Sequence, residues 1–199
     1  MATSWVVPLL DQLEVAAGAE IRLRIFDRRS ELDSSEWDLA IVPGSGRWPE
    51  WESTTLFKEI VRPLAAPSLA DELGLNANSS PLDLVDQNLL HIDDVERPSM
   101  NWPQWFAEAG VSVELPAPRL VYNAYPTVIQ EALAGNGIVL AWRHLLSDLL
   151  ERGLLVAVGP SVERQHSGHH LCWRAHRGDA RYEAILQCLQ QEINGVASL

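Results

Sequence analysis

VYNAYPTVIQEALAGNGIVLAW, residues 121–142, is the stretch whose reading decides the fold. Val128, Ile129, Ala132 and Leu133 recur at helical spacing, so one face of a helix is buried. Gly135 and Gly137 are expected to supply the positive φ that ends the helix and turns the chain into the next element. Ile138, Val139, Leu140 and Ala141 then form a continuous apolar run, the pattern of a strand covered on both faces. Strand end, polar loop, helix and buried strand make half of an open α/β unit. In such sheets ligands bind beyond the carboxyl ends of the strands, where helix N-termini point their free N–H groups. That places Asn123, Ala124, Tyr125 and Thr127 at a pocket mouth, with Trp142 and Arg143 at the neighbouring strand end.

Outward from this unit, strand and helix patterns alternate. Ser4 or Thr3 caps a first helix carrying Val6, Val7, Leu9, Leu10 and Leu13, with Pro8 in its first turn. Ile21, Leu23 and Ile25 alternate with Arg22, Arg24 and Phe26, predicting a half-covered strand. Residues 39–42 form a short apolar strand closed by Pro43-Gly44-Ser45-Gly46-Arg47-Trp48-Pro49, and residues 54–65 are extended. Short helical segments follow at 69–73 and 81–85, and a strand at 89–92. Residues 101–109 read as a helix packing Trp102, Trp105 and Phe106 and closed by Gly110. A helix over 143–151, strands at 154–158 and 170–174, and an amphipathic helix over 181–193 complete the chain. The alternation predicts an α/β fold with two sub-sheets.

Composition bounds the function. A chain of 199 residues with 47% hydrophobic and 21% charged content builds a globular core. Its net charge of −12, from 15 basic and 27 acidic residues, opposes nucleic-acid binding by this chain, which draws on a basic face. No apolar run is long enough to span a bilayer, and the N-terminus lacks the basic region of a signal peptide. Cys172 and Cys188, the only cysteines, are expected to be reduced and packed, and the protein to be cytoplasmic.

The order of these segments resembles the effector-binding domain of LysR-type transcriptional regulators, in the subgroup of glycine-cleavage activators. The likeness runs through Ser4-Trp5-Val6-Val7-Pro8, Asp38-Leu39-Ala40-Ile41, Trp48-Pro49 and Leu56-Phe57. It continues through Leu89-Leu90-His91, Trp102-Pro103-Gln104-Trp105, Ala109-Gly110 and Gln130-Glu131-Ala132-Leu133-Ala134-Gly135-Asn136-Gly137. The resemblance implies a type 2 periplasmic-binding-protein-like fold: two Rossmann-like subdomains joined by two crossovers, with a ligand cleft between them. Subdomain I is expected over residues 1–66 plus 169–199, and subdomain II over 67–168. It also implies a small-molecule effector, a homodimer, and DNA binding only through an N-terminal domain that this sequence does not include. Family domains open with a central strand ahead of the first helix, and Met1-Ala2 is too short to supply it. The first strand is therefore expected to be missing, with Met1 not the natural start or another segment or chain filling the gap.

Family effector sites use hydroxyl and amide groups at helix N-termini, suited to carboxylates. The resemblance carries that role to Thr3, Ser4 and Trp5, to Pro43, Gly44 and Ser45, to His91 and Asp93, and to Asn123, Tyr125 and Trp142. Ser4 equally reads as a helix cap, Trp5 and Trp142 as core, and His91 as a strand-end residue bonded to backbone. The implied effector is an amino acid, a carboxylate or an aromatic acid.

Other chemistry is thinner. His166, His169, His170 and Cys172 have metal-ligand residue types, but strand alternation sends His170 and Cys172 to one face and His169 to the other. Neither Gly44-Ser45-Gly46 nor Gly135-Asn136-Gly137 has the spacing or the Lys of a phosphate loop, and no nucleophile elbow is present. The expectation is a binding domain with no enzyme activity, no cofactor and no metal. Two alternatives stay open: a free solute-binding protein of the same architecture, or a dimerisation module whose cleft is occluded by the tryptophans at 48–51 and 102–105.

Overall fold

The computed structural model describes residues 5–26, 36–93, 100–142, 145–174 and 180–197. They form two compact units, Met1–Glu59 with Gln165–Leu199, and Ile60–Arg164. Among the described residues no helix is long and apolar enough to cross a membrane.

In the first unit, a 3-10 turn at Val7–Leu9 with Pro8 inside it runs into α1 (Leu10–Ala17), which stops at Gly18 in the left-handed region. Pro8 fits because the first turn of a helix has no partner for its N–H. β1 (Leu39–Gly44) pairs antiparallel with the long C-terminal strand, Val42 opposite His170 and Ala40 opposite Cys172. The 15-residue β2 (Trp51–Ala65) lies on that strand's other side. One face of this ladder packs Trp5, Leu9, Leu13, Phe57 and Leu171 against α1 and the C-terminal helix. The other carries Val42 and the fully buried Cys172 under Trp37, Trp48 and Trp51.

Residues 21–26, predicted as a strand, are not one. β1 ends the ladder order with one neighbour, so among the described residues no strand pairs its other edge. A strand needs a ladder partner to satisfy its N–H and C=O groups, and this segment finds none. Ile21 instead donates its N–H to the Glu14 carboxylate at 2.9 Å. Leu23 and Ile25 are left 39% and 62% exposed, the apolar half of an alternating pattern with no sheet to cover it. Among the described residues β1, β7 and β2 form a continuous ladder, which residues 21–26 do not join.

The second unit begins within β2. After α2 (Pro67–Leu73) and a 3-10 turn at Pro81–Leu84 come β3 (His91–Ile92), α3 (Trp102–Glu108), β4 (Val121–Tyr122), α4 (Tyr125–Leu133) and β5 (Val139–Trp142). α5 (Ser147–Glu151) and β6 (Val156–Ala157) follow. β3 and β4 are parallel, and a parallel bridge between Leu89 and Ile138 joins the β3 strand line to β5. β5 and β6 run antiparallel to β2. β7 (Val162–Arg174) then leads back to the first unit, and α6 (Ala180–Ala197) ends the described chain.

The run 138–142 is buried throughout, and its residues alternate between two clusters. Ile138, Leu140 and Trp142 meet Met100, Trp102, Trp105 and Phe106 of α3 and its approach. Val139 and Ala141 meet Val128, Ile129 and Ala132 of α4. α3 is set by a capping box in which the Asn101 side chain accepts from the Gln104 N–H and Gln104 returns a bond to Asn101. Each buried side chain of this kind contributes about 1.5–3 kcal/mol relative to exposure.

One glycine differs from its expected role. Gly135 has φ of +77° and stops α4 as predicted, but Gly137 is not among the positive-φ residues. A Cβ on Gly137 would lie 2.5 Å from the Asn88 carbonyl oxygen and 2.9 Å from Leu90, so it is required for the close approach of two strands.

Candidate functional site

Three parallel strand lines end together in the second unit. His91 and Val121 are register partners, as are Ile92 and Tyr122, so Asp93 and Asn123 are the next residues beyond two adjacent carboxyl ends. The Asp93 N–H donates to the Tyr122 carbonyl at 2.6 Å, extending the ladder to the rim. α4 opens directly after Asn123 and packs on β3, β4 and β5. Its N-cap, Ala124, makes no side-chain cap, but Pro126 brings no N–H and the Thr127 N–H bonds back to the Ala124 carbonyl at 3.1 Å, so of the first three helical positions only Tyr125 has an N–H to offer. Asp93 and Asn123 are exposed and His91 is half-buried.

The aromatic side of this rim is packed. The ring of Tyr125 meets that of Trp142 edge to face, centroids 5.2 Å apart. The Tyr125 hydroxyl reaches the Leu140 carbonyl at 3.5 Å, and burial pushes its pKa far above the ordinary value. It therefore acts as a neutral donor. Burial also lowers the pKa of His91, which favours a neutral imidazole able both to donate and to accept. An amide, a neutral imidazole, a helix start and one carboxylate form a binding set that can hold a carboxylate beside an ammonium group.

The first unit presents a loop. Pro43 and Ser45 are exposed, and Gly44 is half-buried with φ of +143°. Beyond them Gly46, Arg47, Trp48, Pro49, Trp51 and Ser53 line an open hollow of about 500 Å³. Trp5 is 8% exposed and packs edge to face on Phe57 at 4.5 Å, inside the core of that unit. Thr3 and Ser4 lie outside the described residues, as does Arg143. The strand ends thus place His91, Asp93 and Asn123 at one rim, with Tyr125 opening the helix beside it, while Trp5 and Trp142, each 8% exposed, are placed in packing.

The register of β7 separates the metal-type residues. His170 and Cys172 share the face of Val42 and Ala40, and His169 and Leu171 take the other. Cys172 is fully buried, its Sγ 3.7 Å from the His170 carbonyl. The packing of His170 against Gly46 escaped the sequence reading. The signal was Gly44-x-Gly46-x-Trp48, two missing Cβ atoms beside a large ring.

With this geometry in view, the likeness to known proteins has a definite content. A model of the LysR substrate binding domain matches residues 1–194, and the chain belongs to that family. It is 28% identical over 156 residues to the glycine cleavage system transcriptional activator of Escherichia coli, covering 78% of this chain and 49% of that protein. It is 30% identical over 200 residues to the HTH-type transcriptional regulator TrpI of Pseudomonas aeruginosa, covering 96% and 64%. The chain thus spans about half to two thirds of the length of these relatives. Among solved structures, the effector domain of the transcriptional regulator AmpR of Pseudomonas aeruginosa matches with a TM-score of 0.76 at 23% identity, over 99% of this chain and 93% of that one. That likeness shows the fold, the type 2 periplasmic-binding-protein-like architecture of LysR effector domains.

Proposed function

We propose that this chain is the effector-binding regulatory part of a LysR-type transcriptional regulator, taking a small molecule at the strand ends of its second unit. The observation that carries the reading is the convergence of Asp93, Asn123 and the uncapped start of α4 at adjacent parallel carboxyl ends. Crevices of this kind bind ligands because helix N–H groups and loop side chains meet where no strand continues. The neutral His91 and the acceptor Asp93 beside the donor Asn123 favour a zwitterion over a simple carboxylate, so an amino acid is the proposed effector class. Subdomain limits near residues 66 and 169, a cytoplasmic location, a homodimeric state and DNA contact through a separate domain belong to the same proposal. A binding rather than catalytic role fits the residue set, which offers no nucleophile with an adjacent base.

Thermal unfolding against amino acids, simple carboxylates and aromatic acids tests it. A ligand at about 100 times its Kd adds about 2.7 kcal/mol of stability, a clear upward shift. Asn123→Leu should abolish the shift and leave the unliganded midpoint in place. A flat panel with a cooperatively folded protein would overturn the effector reading in favour of an interaction module.

A further inference from the structure

The turn between α4 and β5 sets an exposed asparagine, Asn136, against a buried glycine, Gly137. The Asn136 main chain is held on both sides. Its N–H donates to the Glu131 carbonyl at 2.9 Å, and its carbonyl accepts from the Asn88 side chain. The Asn136 side chain has a single tether, Nδ2 donating to Glu131 Oε2 at 2.8 Å. The Gly137 N–H, by contrast, has no hydrogen-bond partner among the described residues. Just beyond it the strands close: the Ile138 N–H bonds to the Asn88 carbonyl at 2.9 Å and the Leu90 N–H to the Ile138 carbonyl at 2.8 Å.

We propose that Asn136-Gly137 is a modification site, where the folded chain deamidates spontaneously with water as the only co-reactant, and that the product unlatches β3 from β5. In the first step the Gly137 nitrogen bonds to Asn136 Cγ and the Cγ–Nδ2 bond breaks. The Gly137 proton leaves with Nδ2 as ammonia, and a succinimide ring remains. Water then opens the ring at one of its two carbonyl carbons. Opening at Cγ gives aspartate, and opening at the main-chain carbon gives isoaspartate, whose backbone runs through Cβ and Cγ. The sum is one water in and one ammonia out, with no change of oxidation state. The nucleophile is ready because no hydrogen bond must break to release it, and glycine carries no Cβ to shield its nitrogen. The other Asn-Gly pair, Asn194-Gly195, lies within α6, where the helical ladder takes the glycine N–H.

Either product damages the turn. A carboxylate replaces the Nδ2 donor and faces the Glu131 carboxylate, so a hydrogen bond becomes a like-charge contact. Isoaspartate also lengthens the main chain by a methylene where there is no space for one. A single Cβ on Gly137 would already lie 2.5 Å from the Asn88 carbonyl oxygen. The Leu89–Ile138 bridge joins the β3 strand line to β5 at this point, so that join is the part that gives.

Ageing the full chain in mildly alkaline buffer beside a synthetic peptide of residues 130–142 tests the site. Peptide mapping by mass spectrometry follows Asn136 and Asn194 separately and resolves aspartate from isoaspartate. Asn136 should convert in the folded chain no more than about tenfold slower than in the free peptide, with isoaspartate among the products. A folded rate below about a hundredth of the peptide rate overturns the proposal. Asn136→Gln, whose longer side chain closes its ring far more slowly, should stay unconverted over the same period, and conversion there at the wild-type rate overturns the proposed chemistry. The second readout is amide hydrogen exchange at Leu90 and Ile138 in the purified isoaspartate form. It should run about tenfold faster than in fresh protein, with α1 unchanged. Asn136→Asp, which brings the charge without the extra methylene, should give a smaller acceleration. Exchange at Leu90 and Ile138 that stays at the fresh-protein rate, or that rises equally in α1, overturns the unlatching.

Discussion

The rings of Tyr125 and Trp142 meet edge to face at 5.2 Å, joining the first residue of α4 to the last residue of β5. The contact ties the helix start to the strand end at the rim where the effector is proposed to bind.

Removing one side of that contact should cost much more than removing the phenol oxygen. Trp142→Ala empties a site that is 8% exposed and should destabilise the protein by about 3–5 kcal/mol in urea unfolding. Tyr125→Phe loses only a long hydrogen bond to Leu140, an effect of about 1 kcal/mol or less. Equal losses in the two variants would show that the oxygen, not the ring pair, holds the rim.

Gly135 and Gly137 are two residues apart and should fail for different reasons. Gly135→Ala forces a side chain into the left-handed region and should cost about 1–2 kcal/mol. Gly137→Ala drives a methyl group against the Asn88 carbonyl and Leu90, an overpacking effect of about 1–3 kcal/mol. The distinguishing measurement is amide exchange at Leu90 and Ile138, whose N–H groups bond across these strands at 2.8 and 2.9 Å. Gly137→Ala should expose them and Gly135→Ala should not.

Trp102 and Trp105 are both buried, yet their indole N–H groups differ. That of Trp102 donates to the Leu90 carbonyl at 2.9 Å, and that of Trp105 has no hydrogen-bond partner among the described residues. Trp102→Phe therefore loses a buried bond on top of lost volume, while Trp105→Phe relieves an unsatisfied donor. A stability gap of about 1–3 kcal/mol between the two variants, Trp105→Phe being the more stable, is the expected result of denaturant titration. A reversed order would contradict the hydrogen-bond assignment.

Acid should weaken the fold through two histidines. Burial lowers the pKa of His91, and burial lowers that of His170 despite the opposing pull of the Gly168 and Val42 carbonyls, both from the ordinary 6.5. Below 6.5 the unfolded chain therefore binds more protons than the folded one at these sites, so their contribution to stability is present above that pH. It is lost as the pH falls toward the lowered folded values. Unfolding midpoints measured from pH 7.5 to pH 5 should fall, and His170→Phe should flatten the slope. A slope unaffected by substitution at either position would assign the acid sensitivity elsewhere.

Much of the second unit was legible because its signals are local. The periodic face of α4, the packed face of α3 closed by Gly110, and the doubly covered run 138–142 each depend on neighbours within a few positions. The same locality made the strand ends at Asn123 and Trp142 readable, while His91 and Asp93 came only from the family resemblance. Residues 21–26 misled for the opposite reason. Their alternation is a property of the segment, but a strand exists only where a second strand offers its edge. The contact between His170 and Gly46 was hidden because the two lie more than a hundred residues apart.

The sequence by itself determined the α/β class, the family, the helices around 102–108 and 125–133, and the residues that stand at strand ends, because periodicity and order are written along the chain. Only the tertiary structure decided that residues 21–26 stay unpaired, that Gly137 serves a close approach and not a turn, and that His170 stands beneath Gly46. Each of these is a contact between segments distant in sequence, and whether such groups meet depends on how the sheets pair, which no local pattern encodes.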